Sequence, residues 1–324
     1  MRAPGILLLL LLLVYCESQA EEPGQFPSRT QYPPLLLFLH IPNDSTVNVK
    51  KGKHFFSSSN LYSNTSAEKK TDEYSLKIDL EALRSSFGVL YGLTESISVG
   101  LEIPFIFFWR GAMDDAVTKV HSVIGQPPKN DSKADNNIYS YFFETAQFRI
   151  AERGENVFGV GDVSFLASKR ITPENYPFQA KLLGAIKLPT GKKEYMHGSG
   201  NTDFGVGAYL HYKLGKTSIY SFSSLIFPGQ PEDFSGISVT PFFTESFTVE
   251  YQLGFSLSVL GQIDFNSNPF PARIINLGHY ALDLVTGIKK NMKGNRSFTL
   301  SLTEDIKNHT APDFSINIGF TEKF

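Results

Sequence analysis

The sequence predicts an all-β fold, an antiparallel transmembrane β-barrel of about 12 strands (14 on a wider count), with one short helix in a long external loop. Three observations lead there. Segments of about ten residues or a little more, alternating apolar and polar positions, recur along most of the chain. After an apolar leader, the longest apolar run covers only residues 35–39, too short for a transmembrane helix. The closing segment, Phe314-Ser-Ile-Asn-Ile-Gly-Phe-Thr-Glu-Lys-Phe324, alternates strictly and stops on an aromatic residue.

At the start of the chain, Arg2 is a short positive region and residues 6–15 are apolar, the length of a signal-peptide core. Ser18-Gln19-Ala20 is a small-x-small cleavage site. Residues 1–20 are therefore expected to be an export signal cleaved near Ala20. Residues 21–53 follow as an N-terminal periplasmic segment and 54–324 as the barrel. Acylation at Cys16 is the rival reading, but Tyr15 stands where lipoprotein signals want a small residue. Cys16 is the one cysteine of the sequence and leaves with the leader, so disulfide and thiol chemistry are not expected. The formal net charge is −2, with no basic field for nucleic acid. Charged residues at 19% and a mean hydropathy of −0.13 look soluble, which alternating strands explain because they never build a long apolar run.

The expected wall strands are roughly 54–64, 73–92, 95–108, 157–170, 176–189, 203–214, 216–227, 238–251, 253–266, 278–290, 295–306 and 312–324. On the polar side of these strands stand Lys77, Asp79, Glu81, Glu102, Asp162, Lys181, Lys187, His211, Lys213, Glu250, Asp264, Asp283 and Lys289, the candidate lumen residues. With both chain ends periplasmic, the inner turns come out short and most outer loops longer, the alternation expected of a bacterial barrel. Counting 139–150 as wall would invert that alternation, so it is read as β structure inside the longest loop; the fourteen-strand alternative would also recruit 35–41. Within 73–92 the apolar positions change phase, from Tyr74, Leu76, Ile78 and Leu80 to Phe87, Val89 and Tyr91. A β-bulge near 83–86 would restore the register. Aromatic residues make up 13%, as barrels with interfacial girdles require and as a sandwich core could also use.

Residues 111–125 carry the helical pattern, with Met113, Ala116, Val117, Val120 and Ile124 on one face. Asp114 and Asp115 suit its first turn, Gly125 suits its cap, and two prolines bar continuation. Met113, Asp114, Asp115, Val117, Val120 and His121 are thus a candidate gate in the longest loop, with a packed lid as the structural alternative.

The terminal strand resembles the closing strand of Gram-negative outer-membrane barrels. That resemblance implies outer-membrane lipid and the barrel-insertion machinery as partners, with Phe320 and Phe324 as the insertion signal. A second resemblance is carried by Leu93-Thr-Glu-Ser, Gly100-Leu-Glu-Ile-Pro-Phe105, Gly111-x-x-Asp114, His121 and Gly125. Gly159-Val-Gly-Asp162, Lys187-Leu-Pro-Thr-Gly191 and Gly198-Ser-Gly-Asn-Thr-Asp203 continue it in order. In this series the chain resembles the domain-of-unknown-function 3187 family of bacterial outer-membrane barrels, with a weaker likeness to phenol-degradation-pathway barrels. The resemblance implies a barrel in the outer membrane and no established activity.

Lys187-Leu-Pro-Thr-Gly-Lys-Lys lacks the strand, glycine-rich loop and helix of a phosphate loop and is read as a strand end entering a turn. None of the seven histidines is paired by sequence pattern with a nucleophile, and no metal-ligand spacing stands out. No enzyme activity, metal or cofactor is therefore expected. The functional expectation is a narrow or gated passage, or a binding site, for a small solute. The alternative is a sealed barrel serving as a surface structural or interaction protein. A secreted soluble β protein is a third reading, to which Asn-x-Ser/Thr sequons at Asn43, Asn64, Asn130, Asn295 and Asn308 would be suited.

Overall fold

The computed structural model describes residues 24–111, 139–145, 149–153, 156–173, 176–234, 236–272, 274–306, 310–312 and 314–324. The expected leader 1–20, residues 112–125 of the expected helix and the gate residues Met113, Asp114, Asp115, Val117, Val120 and His121 lie outside them. The strands are β1 (His54–Lys70), β2 (Tyr74–Gly92), β3 (Ile97–Trp109), β4 (Ser140–Thr145), β5 (Arg149–Arg153), β6 (Val157–Val160), β7 (Val163–Arg170) and β8 (Phe178–Leu188). They continue as β9 (Asp203–Leu214), β10 (Thr217–Phe227), β11 (Phe242–Gly254), β12 (Leu257–Asn266), β13 (Ala281–Met292), β14 (Arg296–Asp305) and β15 (Phe314–Lys323).

All pairings between the named strands are antiparallel, and β15 returns to β1 from Phe55↔Lys323 to Asn64↔Phe314, so the sheet closes on itself. β4 follows the line of β3 along the same edge of β2. β5, β6 and β7 descend as one broken strand beside β4 and β3. The fifteen strands therefore occupy twelve wall positions. Residues 140–145 do form β structure, but they lengthen the wall instead of folding within a loop. Residues 33–37 form a 3-10 turn behind Tyr32, not a wall strand, which removes the fourteen-strand count.

Side-chain direction follows from the pleat. On β9, Phe204, Val206, Leu210 and Tyr212 are exposed while Asp203, Tyr209 and His211 are buried; on β11, Phe243, Phe247 and Val249 are exposed while Thr244, Ser246, Thr248 and Glu250 are buried. A soluble sandwich would show the reverse. Apolar side chains facing out and polar ones facing in mark a wall solvated by lipid.

The bulge expected near 83–86 is not there. β2 keeps one register with β1 from Tyr91 to Ser75, and one with β3 from Gly92 to Glu81. The phase change has another cause. β2 has 19 residues, about 60 Å at ~3.3 Å each, twice the apolar thickness of a bilayer. Its lower half turns Phe87, Val89 and Tyr91 outward to lipid. Its upper half turns Tyr74, Leu76, Ile78 and Leu80 inward to an apolar core. A true bulge lies elsewhere: Val160 pairs with Phe105 but Ser164 with Glu102, leaving one extra residue at Gly161–Asp162.

The interior is filled from the N-terminal side. Leu35, Leu37, Phe38, Leu39 and Ile41 join Leu76, Ile78, Phe143, Phe234 and Phe270 in one buried cluster. Phe38 meets Phe242 and Phe270 edge-on, at 6.0 Å and 5.5 Å. The assignment of 21–53 to the periplasm thus fails for residues 24–49, which run inside the barrel. They do so because this stretch carries aromatic and aliphatic residues that, left outside, would stand in water.

Candidate functional site

A chain segment without regular structure must satisfy its backbone polar groups from its surroundings. Here the barrel wall supplies them. Gln262 Oε1 accepts from Phe26 N at 3.1 Å, and Asn317 Nδ2 donates to Pro27 O at 3.1 Å. Gln25 Nε2 donates to Ser246 O at 3.1 Å and to Thr248 Oγ1 at 3.1 Å. Asp203 Oδ2 accepts from Leu39 N at 2.7 Å, Lys187 Nζ donates to Leu37 O at 2.6 Å, and Lys181 Nζ donates to Thr46 O. Arg29 Nη2 staples the plug to itself through Leu35 O, Leu36 O and Phe38 O at 3.1, 3.0 and 2.7 Å.

Three ionic groups stand behind these contacts. Lys187 is paired with Asp162 at 2.7 Å and Asp203 at 3.3 Å, and donates to Ser199 Oγ at 2.6 Å. The bulge at 161–162 lets Asp162 turn inward to meet it, and Gly161 is needed because a Cβ there would stand 2.9 Å from Pro104 Cγ. Arg84 is paired with Glu102 at 2.5 Å. Glu250 is paired with Lys289 at 2.6 Å and accepts from Tyr220 Oη at 2.8 Å. Each charge is buried and carries an opposite partner, the condition for keeping it ionised away from water.

Two histidines outside the wall strands are held neutral. Desolvation, then the charges of Arg29 and Arg84, push the His40 imidazole in the plug down to about 3. Desolvation, then Lys192, push His197 in the β8–β9 loop down to about 4. The His197 ring lies against Gly159, where an added Cβ would stand 2.4 Å from Nδ1, and 5.8 Å from the Phe108 ring.

Below the plug a cavity of about 970 Å³ opens at the rim carrying the short turns. Thr46, Val47, Asn48 and Val49 close it on the lumen side, and Lys216 and Asn295 stand at its mouth. His211 stacks on Tyr220 at 4.5 Å on its wall.

Of the thirteen expected lumen residues, Glu102, Asp162, Lys181, Lys187, His211, Lys213, Glu250, Asp264, Asp283 and Lys289 share the faces that line the interior or the cavity. Lys77, Asp79 and Glu81 do not. With no bulge in β2 they share the outer face of Phe87, Val89 and Tyr91. There Lys77 lies 4.0 Å from Glu68, and Glu81 accepts a hydrogen bond from Tyr62 Oη. Tyr62 in turn stacks on Trp109 at 5.2 Å. The candidate lumen set left out Arg84, Asp203, Tyr220, Gln262 and Asn317, the last two of which stand on the polar faces of alternating segments, and the sequence reading missed the plug. Arg84 and Asp203 could have been found by carrying strict alternation through each strand. The plug has no periodicity that would announce it.

A solved structure with the same architecture is the COG4313 outer-membrane channel from Pseudomonas putida F1, at 12% identity and a TM-score of 0.56, covering 85% of this chain and 97% of that one. The transport unit of the autotransporter AIDA-I from Escherichia coli aligns at 9% identity and a TM-score of 0.48, covering 90% and 97%. The NanC porin aligns at 11% identity and 0.47, covering 83% and 100%. The comparison with curated proteins found no significant match. At these identities the first likeness speaks for the fold, a closed twelve-strand transmembrane barrel. The family model described as protein of unknown function (DUF3187) matches residues 9–324, and the chain belongs to that family.

Proposed function

We propose that this protein is an outer-membrane barrel offering a small solute a narrow, gated passage, with residues 24–49 as the gate. One observation carries this reading. In its lower and middle parts the plug is held to the wall mainly by single hydrogen bonds and ion-dipole contacts, at Gln262, Asn317, Asp203, Lys187 and Lys181. Such contacts can be exchanged for water one by one without opening any wall pairing. Bacterial barrels place short turns in the periplasm and longer loops outside. On that rule the cavity faces the periplasm and the apolar upper core faces out.

Ion conductance in planar bilayers tests the reading. The full chain is expected to conduct weakly or in brief openings, and a variant lacking 24–49 is expected to conduct steadily. Silence from both forms would sink the passage; equal conductance would remove the plug as its gate. The apolar core around Phe38, Phe234 and Phe270 favours the second reading, a permanently sealed barrel acting through its outer loops, and silence from both forms is the result it expects.

A further inference from the structure

The cavity below the plug combines three features that a sealed, purely structural lumen does not need. The first is charge. Seven of its described lining residues are Lys or Arg, and one, Glu250, is acidic. Glu250 is already committed to Lys289 and Tyr220. The Phe324 carboxylate, where the chain ends there, adds one more negative charge and leaves a large positive excess. Low-dielectric walls around like charges focus the field and concentrate counter-ions. The second is a pair of orphaned polar atoms. His211 Nε2 and Asn291 Oδ1 are shielded, belong to side chains more than nine-tenths buried, and have no hydrogen-bond partner among the described residues. Buried polar atoms are seldom left so unless something else satisfies them. The third is aromatic lining beside them, the edges of Tyr209 and of the Tyr220 ring whose face His211 covers.

We infer that this vestibule is a binding site for a small organic anion, a carboxylate on a flat apolar body. Lys213 and Lys216 draw the carboxylate in from the rim. His211 Nε2 hydrogen-bonds it, Asn291 Oδ1 accepts from a hydroxyl or amine on the same body, and the edges of the Tyr209 and Tyr220 rings border its apolar part. A volume of about 970 Å³ fits a solute of drug-like size. Thr46, whose carbonyl holds Lys181, sits at the roof of the same site. An anion that competes for Lys181 would therefore loosen the lower end of the plug. The inference rests on the gated-passage reading and names the class of solute for it.

Titration calorimetry of the full chain in detergent, with benzoate, benzamide and inorganic phosphate, tests it. Benzoate is expected to bind at least about tenfold more tightly than benzamide, which lacks the charge, and than phosphate, which lacks the ring. The double variant Lys213→Gln/Lys216→Gln is expected to weaken benzoate about tenfold and leave benzamide unchanged. His211→Phe, which keeps the ring stack, is expected to weaken benzoate as well. Heat-dependent gel mobility checks that both variants are folded barrels. Benzoate binding no tighter than benzamide overturns the selection by charge, and phosphate binding as tight as benzoate overturns the apolar body. Binding does not require passage. A barrel that conducts but ignores benzoate loses the vestibule alone, and one that binds benzoate but never conducts loses the passage alone.

Discussion

Lys187 ties wall and plug together, touching Asp162, Asp203, Ser199 and the plug carbonyl of Leu37. Removing it would leave two carboxylates buried without a cation. Lys187→Met is therefore expected to cost about 3–5 kcal/mol, read from a denaturant midpoint, and adding Asp162→Asn and Asp203→Asn should recover part of it. A loss under about 1 kcal/mol would mean that water already reaches the group. The two neutral histidines make a separate prediction about acid. Their folded values, about 3 for His40 and about 4 for His197, lie below the unfolded 6.5. The folded form thus binds fewer protons. Its stability is full above pH 6.5 and falls as the pH drops toward 4 and then 3. Protease sensitivity of the plug and of the β8–β9 loop should rise across that window, and His197→Leu should flatten the loop's share. Lys187 was legible as an inward residue because it sits in an alternating strand, and Asp162 because it keeps the phase of Ser164 and Leu166 in β7. Asp203 shares the phase of His211 in the expected strand 203–214 but, as its first residue, was left out of the lumen set.

The wall is the part of the protein that its amino-acid pattern states most directly, since lipid outside and polar groups inside force a period of two on each crossing. That logic fails where its premise fails. The upper half of β2 stands beyond the bilayer and faces an apolar plug, so Leu76 and Ile78 point inward while Val89 and Tyr91 point outward in one unbroken register. A phase change in hydrophobicity was read as a bulge when it records a change of solvent. The real bulge, at Gly161–Asp162, hid inside a segment that looked continuous because glycine carries no side-chain signal. Gly161→Val would put a side chain against Pro104 and Ile106, disturb the bulge and carry Asp162 away from Lys187. The substitution is expected to weaken the barrel by about as much as Lys187→Met, seen as a lower temperature for the gel-mobility shift. Asp162→Asn, which leaves the bulge in place, should cost less. Equal mobility for Gly161→Val and the parent would show that the bulge does not serve to aim Asp162.

At the scale of the whole molecule, the function turns on whether the plug is a permanent filling or a moving part. Sequence pattern could not see the plug at all. Its residues are aperiodic, and the wall groups that hold it lie far along the chain, Gln25 against Thr248 and Pro27 against Asn317 among them. Packing argues in both directions. The apolar cluster around Phe38 and Phe270 buries enough side chain to hold the upper end firmly, at about 1.5–3 kcal/mol for each large group. The lower end rests on polar contacts that water can replace. The plug should therefore yield from below, at residues 46–49 first, while Leu35–Leu39 stay seated. A tether decides this. Cys16 is the one cysteine of the sequence, so in a Cys16→Ser background introduced pairs react cleanly. Gln25→Cys with Thr248→Cys, joined by a short thiol cross-linker, pins the plug where the two side chains already meet at 3.1 Å. A second pair, Thr46→Cys with Lys181→Cys, pins the lower end. The lower tether is expected to abolish conductance that the unlinked variant retains, and the tether at Gln25 to reduce it less. If both tethers leave conductance unchanged, the current flows past a fixed plug and residues 24–49 only shape the path.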